Sequence, residues 1–213
     1  MLHLHKAKFL HKGTIVHVTL FVLLVSCVIV PTPVPSPIPV QTVEAQSCSP
    51  PGYYSIGGRT YYRWLANSEP ENSSCWNAIP DRAAVVQTTT CGWTENAWEF
   101  YYNGSISQTF TVPSDWTQPS FSIQYSLDFI DPNDDPWNRF EMQVKDLNTG
   151  ATLASEFFYG YMGDLYCSGR SFSWNQNLAG HQIQVRFKGT RGYSNTFIRV
   201  RDIYVYQLIG PYI

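Results

Sequence analysis

The sequence predicts an all-β domain, a two-sheet antiparallel β-sandwich with little or no helix apart from its N-terminal segment. Three observations carry that prediction. Apolar and polar residues alternate with a period of two in several windows, as in strands with one buried and one wet face. No window sustains a 3.6-residue apolar period over three turns, and Asp81 to Gln87 has room for one helical turn at most. The chain holds 14 Tyr, 12 Phe and 7 Trp but only 14% charged residues, a composition suited to pleated surfaces.

The first residues are read as an export leader rather than as part of the fold. Lys6, Lys8 and Lys12 precede a largely apolar run from Ile15 to Val30. Residues 1–30 therefore form a signal peptide or a membrane or lipid-anchor segment. Residues 31–47 form a Pro-rich linker, which polyproline II geometry keeps extended. Three fates of the leader are open. Val43-Glu44-Ala45 fits cleavage before Gln46, and Leu24-Val25-Ser26-Cys27 resembles a bacterial lipobox that would place a lipid on Cys27. The third is an uncleaved anchor, although the run is short of the roughly 20 residues a span needs.

Residues 48–213 are long enough for one domain with its own core. The whole chain has 14 Lys+Arg against 16 Asp+Glu, and removing Lys6, Lys8 and Lys12 leaves the remainder more acidic. No basic patch points to nucleic acid, whose backbone demands clustered positive charge. A membrane is a partner only through the N-terminal segment or a lipid on Cys27. With Cys27 in the leader, Cys48, Cys75, Cys91 and Cys167 form an even set, expected as two disulfides in an exported chain. The pairing favoured is Cys75 to Cys91, closing a short loop, with Cys48 to Cys167 closing a long one. There is no CxxC to suggest a structural zinc site.

The strands follow in order. Trp98–Tyr102 and Ser105–Val112 flank Asn103-Gly104, a hairpin signal. Phe121, Ile123, Tyr125, Leu127 and Phe129 alternate with polar residues. Phe140, Met142 and Val144 do the same, and Asp146 to Gly150 then makes a turn to a returning strand, Ala151 to Phe158. Ile183, Val185 and Phe187 mark another strand. In the last strand Ile198 and Val200 place the apolar face on even numbers, while Ile203 and Val205 place it on odd ones. A slip of one residue in a continuous strand predicts a β-bulge at Arg201-Asp202. This pattern by itself allows a sandwich or a barrel.

Several of these stretches carry a resemblance. Phe110-Thr111-Val112-Pro113, Phe121 to Phe129, Thr149 to Leu153, Leu178 to Phe187 and Phe197 to Val205 resemble the galactose-binding-like, carbohydrate-binding-module-like jelly rolls of secreted bacterial surface proteins. The resemblance covers about residues 105–208 and implies a jelly-roll sandwich. Residues 48–104 do not match and are read as a Cys-containing part, an insertion or lid. Such a fold hosts many functions, so function must come from a site.

Catalysis has little to work with. His181 is the one histidine outside the leader, and Glu95, Glu99, Glu141 and Glu156 offer no evident pair for a glycosidase. Asp131, Asn133 and Asp135 spell D-x-N-x-D, with Asp134 beside them, and hard oxygens alternating along a loop suit a structural Ca2+. Pro136 and Met142 occupy positions where an EF-hand needs Gly and Glu. The resemblance would instead place calcium near the terminal strands, which brings in Asp202. Flat rings stack on sugar faces, which singles out Trp137, Trp174, Trp93 and Tyr161 as ligand contacts. The expectation is a secreted or surface-attached, non-catalytic module that binds glycan or another cell-surface ligand. The alternatives are an adhesive or structural module and a jelly-roll glycan hydrolase or lyase.

Overall fold

The computed structural model describes residues 51–70, 73, 75–192 and 195–211. The leader, the Pro-rich linker and Cys48 lie outside them. The described residues form two antiparallel sheets. One holds β1 (Gly52–Ile56), β2 (Arg59–Arg63), β4 (Ala83–Thr88), β5 (Glu95–Phe100), β7 (Ser120–Ile130), β10 (Leu165–Asn175) and β12 (Phe197–Pro211). The other holds β3 (Asn77–Ala78), β6 (Asn103–Thr111), β8 (Arg139–Asp146), β9 (Thr152–Tyr159) and β11 (Gln182–Thr190), in the order β3-β6-β11-β8-β9. A 3-10 turn, Gly160–Met162, follows β9. This is the all-β sandwich that the alternation predicts.

The inner faces are the predicted apolar sets. Phe121, Ile123, Tyr125, Leu127 and Phe129 of β7 are all at 0% exposure and meet Phe140, Met142, Val144, Ile183, Val185 and Phe187 from the second sheet. β12 organises the first sheet. One of its edges pairs with β7 along most of its length. The opposite edge pairs first with β5, through Arg199 and Val200, and then with β2, from Tyr206 onward. β1 to β5 are thus strands of the two sheets and not a separate lid.

The predicted bulge is present. The β12–β7 register shifts between Arg201 and Tyr204, and Asp202 takes the left-handed conformation at φ 51°. Ile198, Val200, Ile203 and Val205 consequently all face the core at 0% exposure.

Three expectations are corrected. Asn103-Gly104 is not a hairpin turn, because β5 and β6 lie in different sheets and both residues belong to β6, opposite Thr190 and Gly189. Glycine is required at 104 by packing: a Cβ there would sit 1.8 Å from the Arg82 carbonyl oxygen. Residues 81–87 hold no helical turn, since β4 pairs with β5 from Ala83 to Thr88. The Cys75 to Cys91 pairing is overturned as well, because Cys91 bonds Cys167 across a sequence separation of 76. Cys91 lies within the β4–β5 connection and Cys167 sits in an irregularity of β10, so sheet geometry outweighs proximity in sequence. Cys75 is also disulfide-bonded.

Candidate functional site

The outer face of the first sheet carries a cleft that the bulge creates. Before Arg201, odd-numbered residues of β12 point outward. The extra residue reverses the phase, so Tyr204 and Tyr206 point outward while Ile203 and Val205 stay inside. Beside them, Arg63 pairs in register with Tyr206, and Tyr61 with Leu208 and Tyr54. The result is a cleft of about 640 Å3 lined by Tyr54, Tyr61, Tyr204, Tyr206, Arg63 and Gln124, among others.

Its rings are ordered by contact with one another. Tyr54 and Tyr61 stack with centroids 5.4 Å apart at 23°, and Tyr206 meets Tyr61 edge-on at 5.7 Å. The Tyr204 hydroxyl donates to Glu69 Oε1 at 2.8 Å, and Arg63 Nη1 donates to Ser68 Oγ at 3.1 Å. Burial, then the hydrogen bond and charge of Glu69, then the charge of Asp202, push the Tyr204 phenol above its ordinary pKa of 10.0, with Arg63 opposing. Burial, followed by neighbouring Tyr206 and Tyr61, raises Tyr54 also. Both phenols thus remain neutral donors through the physiological range. Half-buried rings beside a guanidinium, a carboxylate and an amide offer stacking surfaces and hydrogen bonds together, the mixture a polyhydroxylated ring requires.

A second depression, about 230 Å3, adjoins the cleft and is lined by Glu69, Pro70, Glu95, Asn96 and Asp202. Beneath it Arg201, at 1% exposure, reaches Asp128 Oδ2 through Nη1 and Glu95 Oε1 through Nε, both at 2.6 Å. Arg201 also contacts Cys91 Sγ, and the Cys167 amide donates to Asp128 Oδ1 at 2.7 Å. The disulfide, the guanidinium and two carboxylates therefore form one linked cluster under this part of the face, with Arg201 and Asp128 buried at its centre.

The residues singled out in the sequence are scattered. Trp137 is 79% exposed in the β7–β8 loop, beside Asn133, Asp135 and Pro136. Tyr161 is exposed in the 3-10 turn and stacks on Tyr159. Trp93 is exposed between β4 and β5, its indole donating to Glu95 Oε2 at 2.9 Å. Trp174 is not in a loop: it lies in β10, stacked on core residue Phe121 at 5.6 Å. None of the four lines the tyrosine cleft. The signal missed was the pair of alternations Tyr61-x-Arg63 and Tyr204-x-Tyr206, which follow from the predicted bulge once its effect on the outer face is traced.

The D-x-N-x-D loop is closed by its own hydrogen bonds. Asp131 is buried and its Oδ2 accepts from the Asp135 amide and from Asn138 Nδ2, both at 2.9 Å. Its Oδ1 accepts from the Asn133 amide at 3.3 Å and from Thr196 Oγ1 at 3.2 Å. Asp135 Oδ1 takes the Trp137 amide at 2.9 Å. These oxygens are engaged by amide and side-chain donors of the loop. Asp202 accepts from Ser126 Oγ at 3.1 Å. Among the described residues three acidic, His or Cys ligand atoms converge only at Cys91, Asp128 and Cys167, where the two sulfurs are bonded to each other.

The four acids considered for glycoside hydrolysis are each held by arginine. Glu95 pairs with Arg201, Glu99 with Arg191 and Arg199, Glu141 with Arg186, and Glu156 with Arg170.

No protein-family model matches the chain. No curated protein matches it in sequence. Among solved structures, TmCBM61 in complex with β-1,4-galactotriose is similar at a TM-score of 0.50 and 14% identity, covering 67% of this chain and 97% of that one. The two-sheet sandwich shares its fold with that module. The jelly-roll sandwich expected from residues 105–208 is thus the fold present. A xylan-binding domain from CBM 22 aligns at a TM-score of 0.41 and 12% identity, over 75% of this chain and all (100%) of that one. The enzymatically active domain of bacteriophage CBA120 tailspike protein 4 aligns at 0.48 and 12%, over 69% of this chain and 21% of that one.

Proposed function

We propose that this chain is an exported, non-catalytic carbohydrate-binding module and that the tyrosine cleft is its sugar site. The observation that carries the reading is the cleft itself: four tyrosines on one open sheet face, interleaved with Arg63, Gln124 and Glu69. Stacked phenols present apolar faces to pyranose C–H groups, and the polar side chains meet the hydroxyls. A cleft of about 640 Å3 has room for a short stretch of glycan chain. The pairing of Glu95, Glu99, Glu141 and Glu156 with arginines supports binding without chemistry, because a general acid or base needs a carboxyl free to exchange protons. The Cys91–Cys167 disulfide fits an oxidising compartment and so an exported domain.

A glycan array probed with the full chain, with and without EDTA, tests the proposal. Binding to one or more polysaccharide classes, unchanged by EDTA, is expected. Failure to retain any glycan in either condition contradicts the proposal.

A further inference from the structure

We propose that the tyrosine cleft selects glycan chains free of carboxylates and rejects polyuronates, an inference that rests on the sugar-binding reading above. The charges around the cleft carry it. Glu69 lines both the cleft and the adjoining depression, whose other acids are Glu95 and Asp202. Two guanidiniums stand against them. Arg63 lines the cleft with its Nη1 tied to Ser68 Oγ. Arg201 is at 1% exposure, clamped between Asp128 and Glu95 and 3.8 Å from Asp202, so it presents no positive surface to a ligand. No lysine lines either cavity. Three carboxylates, Glu69, Glu95 and Asp202, thus line the two cavities against one guanidinium, Arg63, and Glu69 is the most exposed of the four.

The floor of the cleft responds to this balance. The Tyr204 phenol is raised first by burial, then by Glu69 and Asp202, and Arg63 does not offset them. A uronate stacked on these rings would bring its carboxylate within a Debye length of Glu69 and Asp202, where like charges repel with little screening. A neutral sugar places only hydroxyls there, and Glu69 and Asp202 accept hydrogen bonds from them. Glu69 and Asp202 are therefore the specificity-determining residues, while the tyrosines supply affinity.

The test uses the full chain and matched ligands. These are soluble β-1,4-galactan and β-1,4-glucan, and the same polymers oxidised at C6 to polyuronates. At low ionic strength the oxidised polymers should bind at least about tenfold more weakly than their neutral parents. The gap should narrow at 1 M salt, where the Debye length is about 3 Å. Glu69→Gln and Asp202→Asn should each raise the ratio of uronate to neutral affinity severalfold. Both keep a side chain that can hydrogen-bond, and Asn tolerates the left-handed backbone at 202. Equal or tighter binding of oxidised polymer overturns the inference, as does a ratio that neither substitution moves. If no polymer binds at all, the sugar-binding reading fails and takes this inference with it.

Discussion

Arg201 and Asp146 are two charged groups whose surroundings make opposite demands. Arg201 is enclosed with Asp128 and Glu95, and Asp128 is at 0% exposure. Removing one partner of a buried ion pair leaves the other charge without compensation, a loss of about 3–5 kcal/mol. Urea unfolding of Arg201→Met should show that loss, and an additional Asp128→Leu substitution should recover much of it. Asp146 closes the β8–β9 turn, accepting from the Asn148 amide, Thr149 Oγ1 and His181 Nδ1. Burial alone would raise its pKa, but the hydrogen bonds from Thr149, His181 and Asn148 outweigh burial and hold it below the ordinary 3.8. The folded pKa is thus the lower one, so the stabilisation is complete above the unfolded value and fades as pH falls through it. Melting temperatures between about pH 5 and pH 2 should fall less steeply in Asp146→Asn than in the parent. The Asp146 turn was legible from Asp146-Leu147-Asn148-Thr149-Gly150. The tyrosine site was not, because ring-rich segments elsewhere drew the reading to Trp137 and Trp93, while Tyr61 and Tyr206 meet only across paired strands.

The strands whose apolar faces alternate strictly, β7, β8 and β11, formed where the alternation placed them, because one sheet face must be buried and a slip would expose it. The bulge in β12 was legible for the same reason: four apolar side chains can share the core only if one residue is looped out. The β5–β6 connection was misread because Asn-Gly signals a turn when only local chemistry is considered. There the glycine serves a close crossing of backbone instead. Gly104→Ala should therefore cost about 1–3 kcal/mol, as forced overpacking does, with the Arg82 carbonyl 1.8 Å from the added carbon. Chemical denaturation measures it. Gly52→Ala, where an added Cβ meets nothing within 4 Å, is the matched control.

At the scale of the whole molecule, the Cys91–Cys167 disulfide ties the β4–β5 end of the first sheet to β10 on the far side of β12 and β7. Loop-closure entropy for a separation of 76 residues corresponds to about 4 kcal/mol. Substituting both cysteines with Ala should lower the melting temperature while leaving the strand content seen by circular dichroism in place. That pairing was illegible in the sequence because it depends on which strands become neighbours across the sheet. Fold class was legible because it depends on periodicity alone. The proposed function rests on the face that β1, β2, β7 and β12 build together. The most direct test of that claim is calorimetric titration of a bound glycan into the parent chain, Tyr61→Ala, Tyr206→Ala and Trp137→Ala. The account predicts that both tyrosine variants lose at least about tenfold in affinity, some 1.4 kcal/mol, at unchanged melting temperature, while Trp137→Ala binds as the parent does. Full affinity in both tyrosine variants, with loss in Trp137→Ala, would contradict it and move the site to the β7–β8 loop.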